Sequence, residues 1–364
     1  MTIGSTPWNP ERHFMINRSL SRVLALAALL IVTLAAVVAA GPPTSAATRP
    51  PRVFRNLAYG PEQPAGTHGH LIDLYLPAQP ATTAAYPLLI VMGGSGWLAD
   101  DGKGYAPALV PYFTAHGFVV AGVSTRSSLQ AKFPAQMQDV QAAIRWLGVN
   151  AGRFEFDPRR MAVLGDSSGG WTALMAGFTG TGVRAVVDLY APIDFLRMDP
   201  DMRPGACASF NRAFHLAECH ADVASPESSL LGCPILTCPD RVAEANPIFR
   251  ITPYAPPVLI IHGTEDGLVP LSQSTQLFDA LAAASVPTTF YTVPGVGHSR
   301  DIVSPRKDRA SVRHAGTPLM PDQTHPTYGM IEAFLRAAFV SSSVSSFVSL
   351  SGTGPDPIRS ALPR

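Results

Sequence analysis

Short apolar runs alternate with amphipathic stretches along most of this chain. Residues 71–76, Leu-Ile-Asp-Leu-Tyr-Leu, alternate apolar with polar or amphipathic positions, as a half-buried strand does. Residues 87–92, 118–123, 161–164, 185–190 and 258–261 are almost continuously apolar, which fits strands buried on both faces of a parallel sheet. Residues 288–292 read as a further strand. Between the runs, Met137, Val140, Ala143, Ile144 and Leu147 recur at three- and four-residue spacing and predict a helix. So do Leu277, Phe278, Leu281 and Ala284, in a segment opened by Ser272 or Ser274. Strand and helix alternating from about residue 51 to 340 predict an α/β domain, with a mainly parallel central sheet and helices on both faces.

Three stretches break the alternation. Residues 195–246 hold few regular runs and read as an insertion over the sheet. The tail from Ser341 opens Ser-Ser-Ser-Val-Ser-Ser and is expected to be disordered. Residues 1–50 do not read as part of a fold. Arg12, Arg18 and Arg22 precede an uncharged apolar run, 23–40, followed by small, turn-prone residues. That is the order of a secretory signal, with cleavage after Ala40 or Ala46, and Met15 is an alternative start. An uncleaved anchor competes with it, because eighteen helical residues span roughly 27 Å of a ~30 Å bilayer core. Both readings place the functional domain outside the cytoplasm.

Composition narrows the partners. The 27 basic and 26 acidic side chains leave a formal charge of +1, with no basic run, which argues against a nucleic-acid partner. Hydrophobic residues at 46% are ample for a packed core. The four cysteines, Cys207, Cys219, Cys233 and Cys238, fall within the insertion. An even, clustered set in an exported chain suggests disulfides. Three pairings are open, and the sequence-local one, Cys207–Cys219 with Cys233–Cys238, is preferred. A zinc site using His215 and His220 is the competing reading, weakened by the lack of a CxxC pair.

The motifs with chemistry all follow a predicted strand, where open α/β sheets bind ligands. Gly165-Asp166-Ser167-Ser168-Gly169-Gly170 sits between an apolar strand and a helical run starting at Trp171. This is the setting of a nucleophile elbow, which exposes Ser167 at a tight turn. A serine hydroxyl needs a base, and His298, in Gly295-Val296-Gly297-His298, follows the last predicted strand. An orienting carboxylate comes from the loop after residues 258–261, where Asp266 is preferred over Glu265. The order Ser167, Asp266, His298 suits the architecture. After residues 87–92, Gly93-Gly94-Ser95-Gly96-Trp97 supplies small residues whose amides can face a substrate oxygen, with the Ser168 amide as a second donor. Trp97 is a candidate wall of the substrate pocket.

From residue 52 to 340 the sequence resembles the α/β-hydrolase superfamily. Its nearest likeness is to bacterial esterases grouped with feruloyl and acetyl-xylan esterases, relatives of the hormone-sensitive-lipase group. The residues behind the likeness are Gly165-Asp166-Ser167-Ser168-Gly169-Gly170, Ser225-Pro226-Glu227-Ser228, His262-Gly263 with Asp266 and Val269-Pro270, and Gly297-His298. Arg145-Trp146-Leu147 and Asp157-Pro158-Arg159-Arg160 look like the same family's scaffolding. The resemblance implies a Ser–His–Asp esterase on Ser167, His298 and Asp266, with no metal or organic cofactor and oxyanion amides at Gly94 and Ser95. One residue departs from the pattern. Family members usually carry histidine before these glycines, and here the position is Met92.

Exported serine carboxylesterase is therefore the leading expectation, acting on a small or polymer-linked ester. A prolyl-oligopeptidase-like peptidase shares such a catalytic domain but usually carries a propeller, for which the residues before the first strands leave no room. A hydrolase-like binding protein without turnover is the other alternative. His68 and His70 lack a carboxylate cluster and do not read as a metal site. His314 and His325 read as surface-loop residues, and Asp194 as a turn residue.

Overall fold

The computed structural model describes residues 50–350 apart from 63, 82 and 83, with side chains placed to residue 341. The expected leader or anchor, with its apolar run at 23–40, lies outside the described residues. Among the described residues no helix is long and apolar enough to cross a membrane.

Among the described residues nine strands form one sheet: β1 (Arg52–Ala58), β2 (Leu71–Leu76), β3 (Tyr86–Met92), β4 (Val119–Val123), β5 (Phe156–Asp166), β6 (Ala185–Leu189), β7 (Val258–Gly263), β8 (Thr288–Val293) and β9 (Ser311–Ala315). Their spatial order is 1-2-4-3-5-6-7-8-9. The strands from β4 through β3 to β8 pair parallel, and β1, β2 and β9 add antiparallel edges. The helices are α1 (Ala106–Ala115), α2 (Ala135–Asn150), α3 (Ser168–Phe178), α4 (Met198–Asp201), α5 (Ala206–Phe214), α6 (Pro226–Leu231), α7 (Pro239–Ala245), α8 (Leu271–Ala283) and α9 (Tyr328–Leu350). This is the expected α/β-hydrolase architecture.

The continuous apolar runs have a direct cause. Leu88, Ile90 and Met92 of β3 pack with Ile144 and Leu147 of α2, Trp171 and Leu174 of α3 and Leu281 of α8. Leu89 and Val91 turn the other way, to Leu109 and Phe113 of α1 and Ile331, Phe334 and Leu335 of α9. Both faces of the sheet are covered, so neither set of alternating positions is free to be polar.

Several expectations change. β1 and β9 escaped prediction because their burial patterns are mostly exposed. His314 lies on β9, bonded to Asp322 at 2.7 Å, rather than in a loop. The helix expected to open at Ser272 or Ser274 begins at Leu271 with Pro270 as its cap, and Ser274 is buried against His262 instead. The tail expected to be disordered from Ser341 continues helix α9 to Leu350, and residues 351–364 lie outside the description. The insertion at 195–246 is a chain of short helices, α4 to α7, with 3-10 turns at Phe195–Arg197, Cys219–Ala221 and Ile235–Thr237. Two disulfides staple it, Cys207–Cys219 and Cys233–Cys238, the sequence-local pairing.

Candidate active site

Strand β5 ends at Asp166 and helix α3 begins at Ser168, so Ser167 is the whole turn. It takes φ 53° and ψ −129°, a strained conformation for a residue with a side chain. The glycines make room for it. A Cβ on Gly165 would lie 2.1 Å from the Gly169 carbonyl oxygen, and one on Gly169 2.2 Å from that of Met92. The turn thus folds only if both positions are bare, and it leaves Ser167 partly exposed in a cavity of about 570 Å³.

His298 lines the same cavity, on the loop after β8. Its Nδ1 meets Asp266 Oδ2 at 2.8 Å. Asp266 sits in the loop after β7, and its Oδ1 accepts the amides of Leu268 and Val269, each at 2.9 Å. His262, at 3.3 Å from Oδ2, is a second neighbour, itself fixed by Ser274 Oγ and the Val269 carbonyl. Burial alone would raise the pKa of Asp266, but the hydrogen bonds from His262 and His298 outweigh it and hold the carboxyl well below the usual range. Asp266 is therefore an anion at neutral pH, fit to orient an imidazole. Glu265, the alternative carboxylate, points to the surface and pairs with Arg203. Among the described residues no hydrogen bond joins Ser167 Oγ to His298; such contacts often tighten only with substrate bound.

The loop after β3 brings Gly94, Ser95 and Trp97 to the cavity rim. Its amides are engaged within the protein. Gly94 donates to Asp166 Oδ1 at 3.0 Å, while Ser95 and Trp97 donate to Ser168 Oγ at 2.9 and 3.3 Å. The Ser168 amide opens helix α3, where no intrahelical acceptor exists, and Ser168 lines the cavity. Trp97 is 5% exposed and packs edge-on against Trp171 and Phe195, so it is wall and core at once.

Two residues here were not singled out from the sequence. Arg300 grips Asp166 through Nε and Nη2 at 2.9 and 3.0 Å and lies 3.9 Å over the Tyr105 ring. Tyr190 packs its ring 4.6 Å from that of His298. No motif marks either position. Asp194 caps the turn at Phe195–Arg197 through the Leu196 amide, as a turn residue should. His70 bonds Asp139, and His68 lies 3.5 Å from Asp100.

The zinc alternative fails on donor chemistry. Asp199, Cys219 and His220 converge, but the Cys219 sulfur is tied up in a disulfide. The Asp199 carboxylate accepts the amides of His220 and Ala221 at 2.9 and 2.8 Å, which makes this a turn rather than a ligand set.

A family model, BD-FAE, matches residues 72–281. Among curated proteins the chain is similar to the probable carboxylic ester hydrolase LipM of Mycobacterium tuberculosis, at 24% identity over 75% of this chain and 62% of that one. It is also similar to the esterase LipC of the same organism, at 29% identity over 68% of this chain and 60% of the relative. The chain thus spans about three fifths of the length of these relatives. Among solved structures, a truncated carbohydrate esterase from gut microbiota is 30% identical, with a TM-score of 0.58, covering 70% of this chain and 91% of the other. Esterase B from Lactobacillus rhamnosis, 17% identical with a TM-score of 0.58 over 91% of this chain and 98% of its own, shares the fold.

Proposed function

The chain belongs to the BD-FAE family, and from that premise we propose that it is a serine-dependent carboxylic ester hydrolase. The observation that carries the reading is the buried Asp266 bonded to His298 at 2.8 Å, in the cavity that also holds the strained Ser167. In this reading Ser167 Oγ attacks the ester carbonyl. His298 Nε2 takes the hydroxyl proton and returns it to the leaving alcohol, while Asp266 keeps Nδ1 protonated and balances the imidazolium. Water, activated by the same histidine, then releases the acid. Relatives named as esterases support ester rather than peptide chemistry.

The oxyanion falls to the amides of Ser168, Gly94 and Ser95. The Ser168 amide is free to donate. The Ser95 amide is shared with a hydroxyl, a weaker acceptor than an oxyanion, and so can be drawn to substrate. Gly94 donates to a carboxylate, which would normally hold it. Arg300, bonded to both oxygens of Asp166, draws off that charge and weakens the competitor.

We further propose that the protein acts outside the cytoplasm, through a cleaved signal or a retained anchor in its first 50 residues. Two disulfides in the substrate-facing insertion support an oxidising compartment. Fractionation of a tagged full chain tests this: protein recovered only in cytosol, with all four cysteines reactive, would sink it.

The hydrolase reading is tested with p-nitrophenyl acetate, butyrate and decanoate, using wild type and Ser167→Ala. Ser167→Ala should lower kcat by at least about 10⁴-fold. Turnover that persists in that variant, or a folded wild type that neither turns over esters nor reacts with a fluorophosphonate, would overturn it.

A further inference from the structure

The insertion supplies one wall of the cavity. Phe210, Phe214 and Pro226 make it apolar except where His220 and Glu227 interrupt it. The reaction just described uses neither. They are 1% and 3% exposed, and His220 Nδ1 meets Glu227 Oε1 at 3.0 Å. The imidazole lies on the Phe210 ring with centroids 3.8 Å apart. Each side chain has spent one polar atom on the other. The remaining two, His220 Nε2 and Glu227 Oε2, are buried with no hydrogen-bond partner among the described residues. Buried polar atoms are seldom left so, because an unmade bond costs the full desolvation of the group.

The pair also sits close to the reacting centre. A Cβ on Gly96, in the loop beside Ser167, would lie 3.1 Å from Pro226 Cβ, so the first turn of α6 rests on that loop with Glu227 the next residue. Burial pulls the His220 pKa down. The facing Glu227 carboxylate, helped by Asp199 and by a Leu268 carbonyl outside hydrogen-bond geometry, more than reverses this and holds it above the ordinary value. That direction favours the protonated ring, whose Nε2–H is a donor, while Glu227 Oε2 is an acceptor.

Hydroxyl groups suit both free atoms, one accepting from Nε2–H and another donating to Oε2. A carboxylate ligand would meet Glu227 with like charge, an ammonium would meet His220, and an alkyl group would leave both atoms unpaired. We propose that His220 and Glu227 form a hydroxyl-binding subsite that selects esters bearing a free alcohol hydroxyl near the scissile bond. The inference builds on the ester-hydrolase reading and names the chemistry its substrate carries. The pair makes this selection as specificity residues and takes no part in bond cleavage.

The test compares kcat/KM for ethyl butyrate, 2-hydroxyethyl butyrate, glyceryl monobutyrate and ethyl 3-hydroxybutyrate. These place the hydroxyl nowhere, on the alcohol side twice, or on the acyl side. Wild type should favour at least one hydroxylated ester over ethyl butyrate by about tenfold or more, the size expected of a hydrogen bond to a charged group. The double variant His220→Phe/Glu227→Leu replaces the pair with apolar groups and strands no lone charge; in it the ratio should collapse to within about threefold. Glu227→Gln, which keeps the shape, should lower the ratio part of the way. Because the readout is a ratio, a merely structural role would not move it. A wild-type ratio near one for all three hydroxylated esters overturns the proposal, as does a preference that survives in the folded double variant.

A second readout separates this proposal from the hydrolase reading. Ser167→Ala protein is titrated with the same esters while the ¹⁵N-labelled His220 ring is followed by NMR. Hydroxylated esters should shift its signals and ethyl butyrate should not, whether or not wild type turns over. Equal response to all four overturns the subsite alone.

Discussion

Arg300 offers the sharpest test of how the proposed oxyanion loop works without the histidine expected where Met92 stands. The loop hangs from the Gly102 carbonyl through Gly93, from Asp166 through Gly94, and from Ser168 Oγ through Ser95 and Trp97. Asp166 is 8% exposed at its side chain, and Arg300 is the cation bonded to it. Arg300→Met keeps the reach and removes the charge. Losing a partner from a fully buried pair costs about 3–5 kcal/mol. Arg300 is 44% exposed, so water and salt take over part of its role and about 1–2 kcal/mol of stability should go. The effect on rate has a different origin. Asp166 without its counter-charge becomes a stronger acceptor and keeps the Gly94 amide from the developing oxyanion. One oxyanion donor contributes about 2.7–4 kcal/mol, and losing roughly half of one lowers kcat by about tenfold. KM should stay within about threefold, because the loss falls in the transition state. The assay is steady-state hydrolysis of p-nitrophenyl butyrate alongside urea unfolding. A kcat within twofold of wild type, with stability reduced as expected, would refute the argument. So would a rise in KM at constant kcat, which would make Arg300 a substrate contact.

Other outcomes follow from the same geometry. Asp266→Asn should lower kcat by about 10⁴-fold with little change in fold, since His298 loses the partner that sets its tautomer; steady-state kinetics with circular dichroism checks this. Because the native pKa of Asp266 is depressed, its stabilising contribution is present above the unfolded carboxyl's pKa near 4 and is lost as pH falls further, so the asparagine variant should show a flatter acid limb in thermal melts. Asp188 behaves oppositely: burial raises it to about 7, so the native state holds a proton that the unfolded state has released. Stability therefore falls as pH rises from about 4 to 7, by up to about 4 kcal/mol, and Asp188→Asn should remove that slope in urea titrations at pH 5 and 8. Cys207→Ser/Cys219→Ser opens a loop of sequence separation 12 and should cost about 3 kcal/mol in the same titrations, with KM raised as α5 loosens. Gly94→Ala would set a Cβ 2.4 Å from the Asp166 carbonyl oxygen and should lower kcat far more than it lowers Tm.

How much of this was legible in the sequence depended on whether a residue's role is local. β3 and the inner half of β5 could be read because burial on both faces favours apolar residues at successive positions. β1 and β9, paired at the edges and mostly exposed, carry no such constraint and left no trace. The turn at Ser167 could be read because the motif is contiguous and the crowding that demands Gly165 comes from Gly169, four residues on, although Gly169 itself is bare because of Met92, 77 residues away. His298 and Asp266 were legible for a similar reason, each following its own buried strand. Arg300 was not, although it lies two residues beyond His298, because its role is set by Asp166, 134 residues away, and an exposed arginine at the start of a short 3-10 turn has no pattern of its own. Within the insertion, the even, clustered cysteines pointed to disulfides, with the sequence-local pairing preferred among three. The His220–Glu227 pair was not legible, since seven residues separate its members and the short 3-10 turn and helix carrying them have no periodicity to reveal a shared face. In the reading proposed here, bond cleavage rests on residues that local sequence constrains, while choice of substrate rests on a contact that only the folded insertion makes. Substitutions within the insertion should therefore change the preference among esters before they abolish turnover, and substitutions around Ser167 should do the reverse.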